Sequence, residues 1–262
     1  MNIPNSPPWS MRGGPQDVFL RSDPNWPYPV IVAGNGIWLQ DEEGNRYLDV
    51  SSGPVASNLG HAHPGVTAAM HAQVDRLTFA SSRVARTTEN IAFAERLTAL
   101  AGPGFERAFL VSGGSEAIDA AIKFARVHAV RTGQEARQCL ISLLPSYHGG
   151  TLGCVAVSGD LAQAAMFEGM ITLSEKLRAP LSYRPVNGRS PEEDEAAVLS
   201  DLDALISRIG PERLLALVLE PVGGLAMLAP PLTITEAETG DLLLRLDQTL
   251  VHFEQLAMES LL

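Results

Sequence analysis

The chain has 262 residues, of which 45% are hydrophobic and 19% charged, with a net charge of -11 and a pI near 5.0. This length is enough for one large or two modest domains with a sizeable core. The acidic balance argues against nucleic acid or an anionic membrane as a partner, because such binding relies on an excess of basic residues.

The sequence also predicts a cellular compartment. No apolar run approaches the length that spans a bilayer, and the N-terminal residues lack the apolar segment of a secretory leader. The two cysteines, Cys139 and Cys154, lie in apolar surroundings without Cys-x-x-Cys spacing, which suits a reducing environment. We therefore expect a cytoplasmic protein.

The first elements along the chain are predicted to be short strands. An irregular lead-in rich in Pro, Asn and Gly covers about the first 28 residues. Three short strands separated by turns follow, at Val30 to Ala33, Ile37 to Gln40 and Arg46 to Val50. Their spacing predicts a small antiparallel β-meander. Helices are then expected at Pro64 to Leu77 and Thr88 to Leu100.

The middle of the chain alternates apolar strand patterns with helical ones. Strands are predicted at Arg107 to Ser112, Gln138 to Leu144 and Arg213 to Glu220, with a weaker candidate at Gly153 to Gly159. The helix that follows the first of these carries an apolar stripe at Ile118, Ala121, Ile122, Ala125 and Ala129. The helix before the last strand begins with a capping box formed by Ser190, Pro191 and Glu193. This alternation predicts a parallel sheet covered by helices.

A first candidate site lies where the strand at "LVS" runs into "GGSEAIDAA". Gly113 and Gly114 let a ligand approach the backbone, and the following helix start offers free N–H groups and the positive end of its dipole. Ser115 either adds a hydroxyl donor or is simply the N-cap. From the residues alone, a phosphate cup and an ordinary tight turn explain this pattern equally well.

Two further candidates end neighbouring strands. Tyr147 or His148, in "SYHGG", could present an aromatic face to a flat ring, although a polar surface turn explains the same residues. Glu220 either contacts a ligand or only starts the turn at Pro221. His61 and His63 have no further ligand cluster nearby, so no metal site is expected.

Taken together, five stretches resemble the class III, or omega-type, aminotransferases, which are pyridoxal phosphate (PLP) enzymes of fold type I. They are "GNGIWLQDEEGNRYLDV", "NLGHAHPGV", "FLVSGGSEAIDAAIKFAR", "YHGGTLG" and "LVLEPVGG", in this order. The resemblance implies that Gly113, Gly114 and Ser115 bind the cofactor phosphate and that Tyr147 stacks on the pyridine ring. It also implies that His148 flanks this ring, that Glu220 lies beside the cofactor, and that residues 51–58 line the substrate pocket.

The resemblance further implies a fold class. We expect an α/β PLP-dependent transferase of fold type I, with an incomplete parallel sheet and a small α+β domain formed by the two chain ends. The expected bounds are 1–60 for the arm and meander, 61–224 for the large cofactor-binding domain, and 225–262 for the C-terminal part of the small domain.

Two parts of the family pattern are missing. Relatives follow the Glu-Pro-Val strand with an Asp-Glu-Val strand, whose acid keeps the pyridine nitrogen protonated, and later with the Schiff-base lysine. Here "LAMLAPPLTIT" and a helix capped by Thr235 and Glu238 follow instead, and they resemble the end of such enzymes. This predicts an internal deletion with its junction at residues 223–226. The loss of sheet strands also predicts a poorly soluble or partner-dependent protein.

The chain has two lysines, Lys123 and Lys176. Lys123 is expected on a solvated helix face, and Lys176 in a loop or helix outside the cofactor ring. Neither is therefore expected to form the Schiff base, and no catalytic residue is assigned.

Two functions remain open. The first is amino-group transfer between an amino donor and an oxo acid or aldehyde by a PLP-binding homodimer, impaired here by the missing lysine. The second is a non-catalytic remnant that binds a phosphate ligand weakly or associates with an intact relative. A dinucleotide-binding dehydrogenase would explain none of the motifs other than the glycine-rich turn.

Overall fold

A computed structural model describes residues 28–180 and 186–220, together with 235, 237 and 238. The predicted junction and most of the predicted N-terminal lead-in lie outside these residues. So does the rest of the C-terminal helix, except that Thr235 and Glu238 form the expected capping box, with Glu238 N donating to Thr235 Oγ1 at 3.3 Å.

The chain divides into two compact units. One comprises Met1–Arg86 with Ala226–Leu262, and the other comprises Thr87–Leu225. The domain bounds expected from the sequence stay a prediction. No helix in the described part of the chain is long and apolar enough to cross a membrane.

The β-meander of the first unit is confirmed. Strands β1 (Ile31–Asn35), β2 (Trp38–Asp41) and β3 (Arg46–Leu48) pair antiparallel in that order. Asp41 closes the turn after β2, because its carboxylate accepts hydrogen bonds from Asn45 N at 2.8 Å and from Tyr47 Oη at 2.7 Å. Burial opposes ionisation of Asp41, but these hydrogen bonds lower its pKa overall.

Three helices follow the meander. A short α1 (Ser52–Val55) precedes α2 (Pro64–Arg76), which begins at the predicted proline. In the second unit, α3 (Thr88–Ala101) also begins as predicted, and the Thr87 side chain accepts a hydrogen bond from Asn90 N.

The second unit contains the parallel sheet. Strands β4 (Cys139–Leu144) and β6 (Leu214–Val218) confirm two predictions, whereas β5 (Glu175–Arg178) was not predicted. The spatial order is β5-β4-β6, with both pairings parallel, and Ser142 lies opposite Lys176. A four-residue strand without β-branched or aromatic residues gives little signal in a sequence.

Helices cover this sheet. They are α4 (Gly114–Arg131), α5 (Leu152–Val157), α6 (Leu161–Met166) and α7 (Pro191–Ile209), with a short 3₁₀ turn at Val186–Gly188. The predicted capping box of α7 is present, since Ser190 and Glu193 exchange side-chain-to-backbone hydrogen bonds.

The core lies between the sheet and α7. Its buried members are Ile141, Leu177, Val198, Leu205 and Ile209. At the edge of this core, Arg178 at the end of β5 holds the buried carboxylate of Asp194 at 2.8 Å, which fixes the first turn of α7 to the sheet. The side chains on β4 and β5 that alternate with the core residues, including Ser142 and Lys176, point to the opposite face.

The structure corrects three predictions. The predicted strand at Arg107 to Ser112 is not formed, because no described strand lies beside these residues to pair their backbone, and Phe109 is exposed. Residues 153–157 belong to α5, since a short apolar run fits a buried helix as well as a strand. On α4, Ala129 is buried but Ala121 is exposed, so the apolar stripe is covered only in part.

Candidate functional site

The glycine-rich turn forms the start of α4. Gly113 is the N-cap and Gly114 the first helical residue, and no side chain caps this end. The first N–H groups of a helix have no acceptor within it, and the helix dipole makes this end attractive to anions. A Cβ atom placed on either glycine would meet no atom of the described residues within 4 Å, so these residues leave the space above the turn open. This geometry suits a phosphate group.

Ser115 connects this turn to the Tyr-His-Gly-Gly loop. It is the second residue of the helix, so the alternative that it serves as N-cap is wrong. Its hydroxyl accepts a 3.0 Å hydrogen bond from Gly150 N, and its carbonyl accepts one from Cys154 Sγ at 3.3 Å. Gly149 packs so closely that a Cβ atom there would overlap the Ser115 hydroxyl and the Cys154 sulfur. The two loops therefore form one structure.

Tyr147 and Glu220 are brought together at the carboxyl ends of adjacent strands. The backbone N–H of Tyr147 donates a 2.9 Å hydrogen bond to Oε1 of Glu220. The Tyr147 side chain is 54% exposed, so an aromatic face is accessible. Glu220, which lies two residues beyond the end of β6, therefore fixes the loop that carries the aromatic ring.

His148 is the buried member of the loop, at 8% exposure. Its backbone N–H donates to Ser158 Oγ at 2.9 Å, while its ring Nε2 is buried without a hydrogen-bond partner in the described structure. Burial lowers the pKa of His148, the Lys176 ammonium lowers it further, and Glu220 partly opposes them. The lowered pKa favours the neutral ring, and its buried Nε2 has no hydrogen-bond partner among the described residues.

The structure contradicts the predicted place of Lys176. This residue lies on β5, inside the parallel sheet, rather than in a peripheral loop or helix. Its Nζ donates to Ser142 Oγ at 2.9 Å, to Ser174 Oγ at 2.8 Å and to Ser158 O at 2.8 Å. Lys123, as predicted, is exposed on α4.

Among the described residues outside this site, His61 has a structural partner, whereas His63 Nδ1 is buried without a hydrogen-bond partner. His61 Nε2 lies 2.8 Å from Asp49 Oδ2, and the same carboxylate accepts a hydrogen bond from Ser52 N at 2.8 Å. Among the residues that the structure describes, no group of three or more His, Cys, Asp or Glu side chains could hold a metal ion. The predicted role of residues 51–58 in a substrate pocket stays a prediction.

These features fit a cofactor that has a phosphate and a flat ring. The open helix start suits the phosphate, the accessible Tyr147 ring suits stacking, and the unpartnered His148 nitrogen suits a polar atom on the ring. All three lie in a single unit of the chain.

Comparison with known proteins identifies a family. The family model for class-III aminotransferases matches residues 21–232. The uncharacterized aminotransferase YodT of Bacillus subtilis is 35% identical over 211 residues, which cover 78% of this chain and 46% of YodT. An adenosylmethionine-8-amino-7-oxononanoate aminotransferase of Nitratidesulfovibrio vulgaris is 34% identical over 206 residues, which cover 77% of this chain and 38% of that enzyme.

The fold of the chain also resembles that of solved transaminases. An amine transaminase from an uncultivated Pseudomonas species, solved in its PLP-bound internal aldimine form, superposes with a TM-score of 0.75 at 29% identity, covering 85% of this chain and 51% of the transaminase. The chain thus spans about half the length of the relatives it matches, or less. Its sequence and its α/β architecture with a parallel sheet place it in the class-III aminotransferase family, whose members are PLP-dependent enzymes of fold type I.

Proposed function

We propose that this chain binds PLP through Gly113, Gly114, Ser115, Tyr147, His148 and Glu220. The observation that carries the proposal is that the three segments with these residues, which span more than a hundred positions, are joined by direct hydrogen bonds. Ser115 accepts from Gly150 of the Tyr-His-Gly-Gly loop, and Tyr147 of the same loop donates to Glu220. A set of unrelated turns would have no reason to converge in this way.

Each group has a distinct role in the proposed site. The N–H groups at the start of α4 and the Ser115 hydroxyl hold the phosphate, and Tyr147 covers one face of the ring. The neutral His148 offers Nε2 to a polar atom at the edge of the ring, and Glu220 keeps the loop in place. When bound, PLP supplies an electron sink for amino-group chemistry.

The family's reaction sets the proposed activity. In its complete form the protein would exchange an amino group between an amino donor and an oxo acid or aldehyde. Such chemistry also needs a lysine that moves a proton at the reacting carbon. The chain has two lysines, and in the structure Lys123 is exposed on α4 and Lys176 is held by serines. We therefore propose that this chain by itself is impaired in catalysis.

A second candidate function follows from the same observation. A chain that keeps the cofactor cup but lacks a lysine at the cofactor fits a non-catalytic protein that binds a phosphate-bearing ligand weakly or associates with an intact relative. The two functions differ in turnover, whereas both require the cup.

We further propose that the chain is cytoplasmic and forms homodimers. Cys139 and Cys154 are both free thiols, as expected in a reducing compartment. Exposed apolar residues on α2 support association, since Met70 and Val74 are 64% and 61% exposed. Sedimentation velocity on the purified chain would test the homodimer, which a single monomeric species at micromolar concentration would contradict.

Titration with PLP tests the proposed cofactor. We expect a saturable change in absorbance with PLP and a much weaker one with pyridoxal, which lacks the phosphate that the cup would hold. Borohydride reduction followed by peptide mapping would then identify any lysine that bonds to the cofactor.

The outcomes separate the proposals. Equal binding of PLP and pyridoxal, or no binding of either, would show that the start of α4 does not bind the cofactor phosphate. Saturable PLP binding without reduction onto a lysine, and without transamination, favours the non-catalytic protein. Stoichiometric reduction onto Lys123 or Lys176 would overturn the proposed impairment.

A further inference from the structure

Lys176 lies in a polar cluster on the face of the sheet that points away from the apolar core. Its ammonium donates three short hydrogen bonds, to Ser142 Oγ, Ser174 Oγ and Ser158 O. Ser142 is fully buried, and Ser158 and Ser174 are 1% and 8% exposed. An ammonium group has three N–H donors, so all of them are used.

The hydroxyl protons of this cluster can be placed by counting. Ser174 Oγ donates its one proton to Ala156 O at 3.1 Å. Ser142 must therefore be the donor in the 2.7 Å contact between Ser142 Oγ and Ser174 Oγ. Both hydroxyl oxygens then accept from Lys176. With Lys176 charged, its three protons and both hydroxyl protons all have acceptors.

Ser158 connects this cluster to the Tyr147–His148 loop. Its carbonyl accepts from Lys176, while its hydroxyl accepts from His148 N at 2.9 Å. The next residue, Gly159, donates its N–H to Ser146 O and Ser146 Oγ, both at 2.9 Å. Two hydrogen bonds, both made by Ser158, thus link Lys176 to His148. Through them Lys176 anchors the segment against which the loop packs.

We propose that Lys176 is a positioning residue that holds the Tyr147–His148 loop in its ligand-binding geometry through Ser158. The inference rests on the proposed PLP site and adds a residue to it that lies outside the six cofactor-contacting positions. Lys176 acts on the proposed site indirectly, through this loop.

The electrostatics give this role a second consequence. Burial is the main cause of the lowered His148 pKa; Glu220 opposes it, and the Lys176 charge lowers the pKa further. Lys176 therefore adds to the preference of the buried His148 ring for its neutral form. A residue that only filled space behind the loop would have no such effect on the His148 pKa.

The test uses Lys176→Met, with Lys123→Met as the matched control, since it removes the other lysine from an exposed helix face. The His148 pKa is measured by NMR titration of the cofactor-free proteins, with the His148 signal assigned from its loss in His148→Gln. PLP affinity is measured by absorbance titration. We expect Lys176→Met to raise the His148 pKa and to weaken PLP binding about tenfold, the effect of losing one charge-assisted hydrogen bond. Lys123→Met should change neither.

The results separate this inference from the proposed function. An unchanged His148 pKa in Lys176→Met, or unchanged PLP affinity where the wild type binds PLP, would overturn the role of Lys176. If the wild type binds no PLP, the proposed function fails and the His148 pKa alone decides. Should Lys176→Met fail to fold, wild-type protein suffices, because the His148 signal must then show a second inflection as Lys176 loses its proton near pH 8, where burial has lowered its pKa.

Discussion

The backbone N–H of Tyr147 donates a 2.9 Å hydrogen bond to Oε1 of Glu220, 73 residues further along the chain. This contact exists because β4 and β6 are adjacent parallel strands, so the residues that follow them meet at one edge of the sheet. It makes the position of the aromatic ring depend on a carboxylate from a different strand.

Substitution of Glu220 should therefore weaken PLP binding in a graded way. Glu220→Gln keeps an oxygen that can accept from Tyr147 N, whereas Glu220→Ala removes the acceptor. A hydrogen bond to a charged group is worth about 1.5–3 kcal/mol, so we expect Glu220→Ala to raise the Kd for PLP about 10- to 100-fold and Glu220→Gln to raise it less. Absorbance titration measures both, with the exposed Glu195→Ala on α7 as the control. Equal affinities for the two Glu220 variants would show that Tyr147 does not depend on this acceptor.

Gly149 should not tolerate a side chain. Its φ is +132°, which L-residues rarely adopt, and a Cβ atom would overlap the Ser115 hydroxyl and the Cys154 sulfur. Gly133→Ala is a matched control, because Gly133 has a φ of +72° but open space around it. We expect Gly133→Ala to cost about 1 kcal/mol of stability from backbone strain alone, and Gly149→Ala to cost more and to weaken PLP binding as well.

Urea unfolding and PLP titration of both glycine variants check this prediction. If Gly149→Ala and Gly133→Ala unfold at the same urea concentration, the close packing between the loop and Ser115 contributes nothing measurable to stability.

Sequence patterns predicted those parts of the fold that depend on local chemistry. The meander, the start of α2 at Pro64 and the capping box of α7 were all predicted, because turns and caps act over a few neighbouring residues. The strand predicted at Arg107 to Ser112 is absent because a strand also needs a partner, which its own residues do not encode.

In the candidate site, too, some residues could be predicted from the sequence and one could not be placed correctly. Its six residues were predicted from local patterns and from the resemblance to a family, and their role at a cofactor stays a prediction. The structure shows that Gly150 N donates to Ser115 and Tyr147 N donates to Glu220. Lys176 was misplaced because its role depends on Ser142, Ser158 and Ser174, which are distant in sequence and come together only through the pairing of β4 with β5. No spacing rule connects such residues.

The capping box of α7 should contribute measurably to stability, since this helix covers the core of the second unit. Ser190 Oγ accepts from Glu193 N at 3.2 Å, and Glu193 Oε2 accepts from Ser190 N at 2.8 Å. Ser190→Ala should lower the free energy of unfolding by about 1 kcal/mol. Ser200→Ala, at an exposed position within the same helix, should change it by less than about 0.5 kcal/mol. Urea unfolding followed by circular dichroism distinguishes them, and equal midpoints would contradict a role for the cap.

Lys176 should give the protein a specific dependence of stability on alkaline pH. Burial lowers its pKa from 10.5 to about 8 in the folded protein. Between these values the unfolded chain binds more protons than the folded one, so unfolding becomes less favourable as pH rises. The stabilisation is complete above pH 10.5 and is lost as pH falls through about 8, below which the cost of burying the charge is present in full.

Comparison of wild type with Lys176→Met isolates this effect. Tyr47, whose pKa is raised to about 12, destabilises the fold above pH 10 in both proteins and cancels in the difference. The charged groups around Lys176 are common to both proteins as well: His148 and Glu220 at the loop, Glu175 and Arg178 on β5, and Asp201 and Arg208 on α7. The free energy of unfolding of wild type minus that of Lys176→Met is compared from pH 8 upward, because at lower pH the two proteins also differ in the His148 pKa. This difference should rise between pH 8 and 10 by at most about 1.4 kcal/mol per pH unit, the limit for one proton. Urea unfolding at each pH gives both curves, and a constant difference across this range would mean that Lys176 titrates in the folded protein as it does in the unfolded chain.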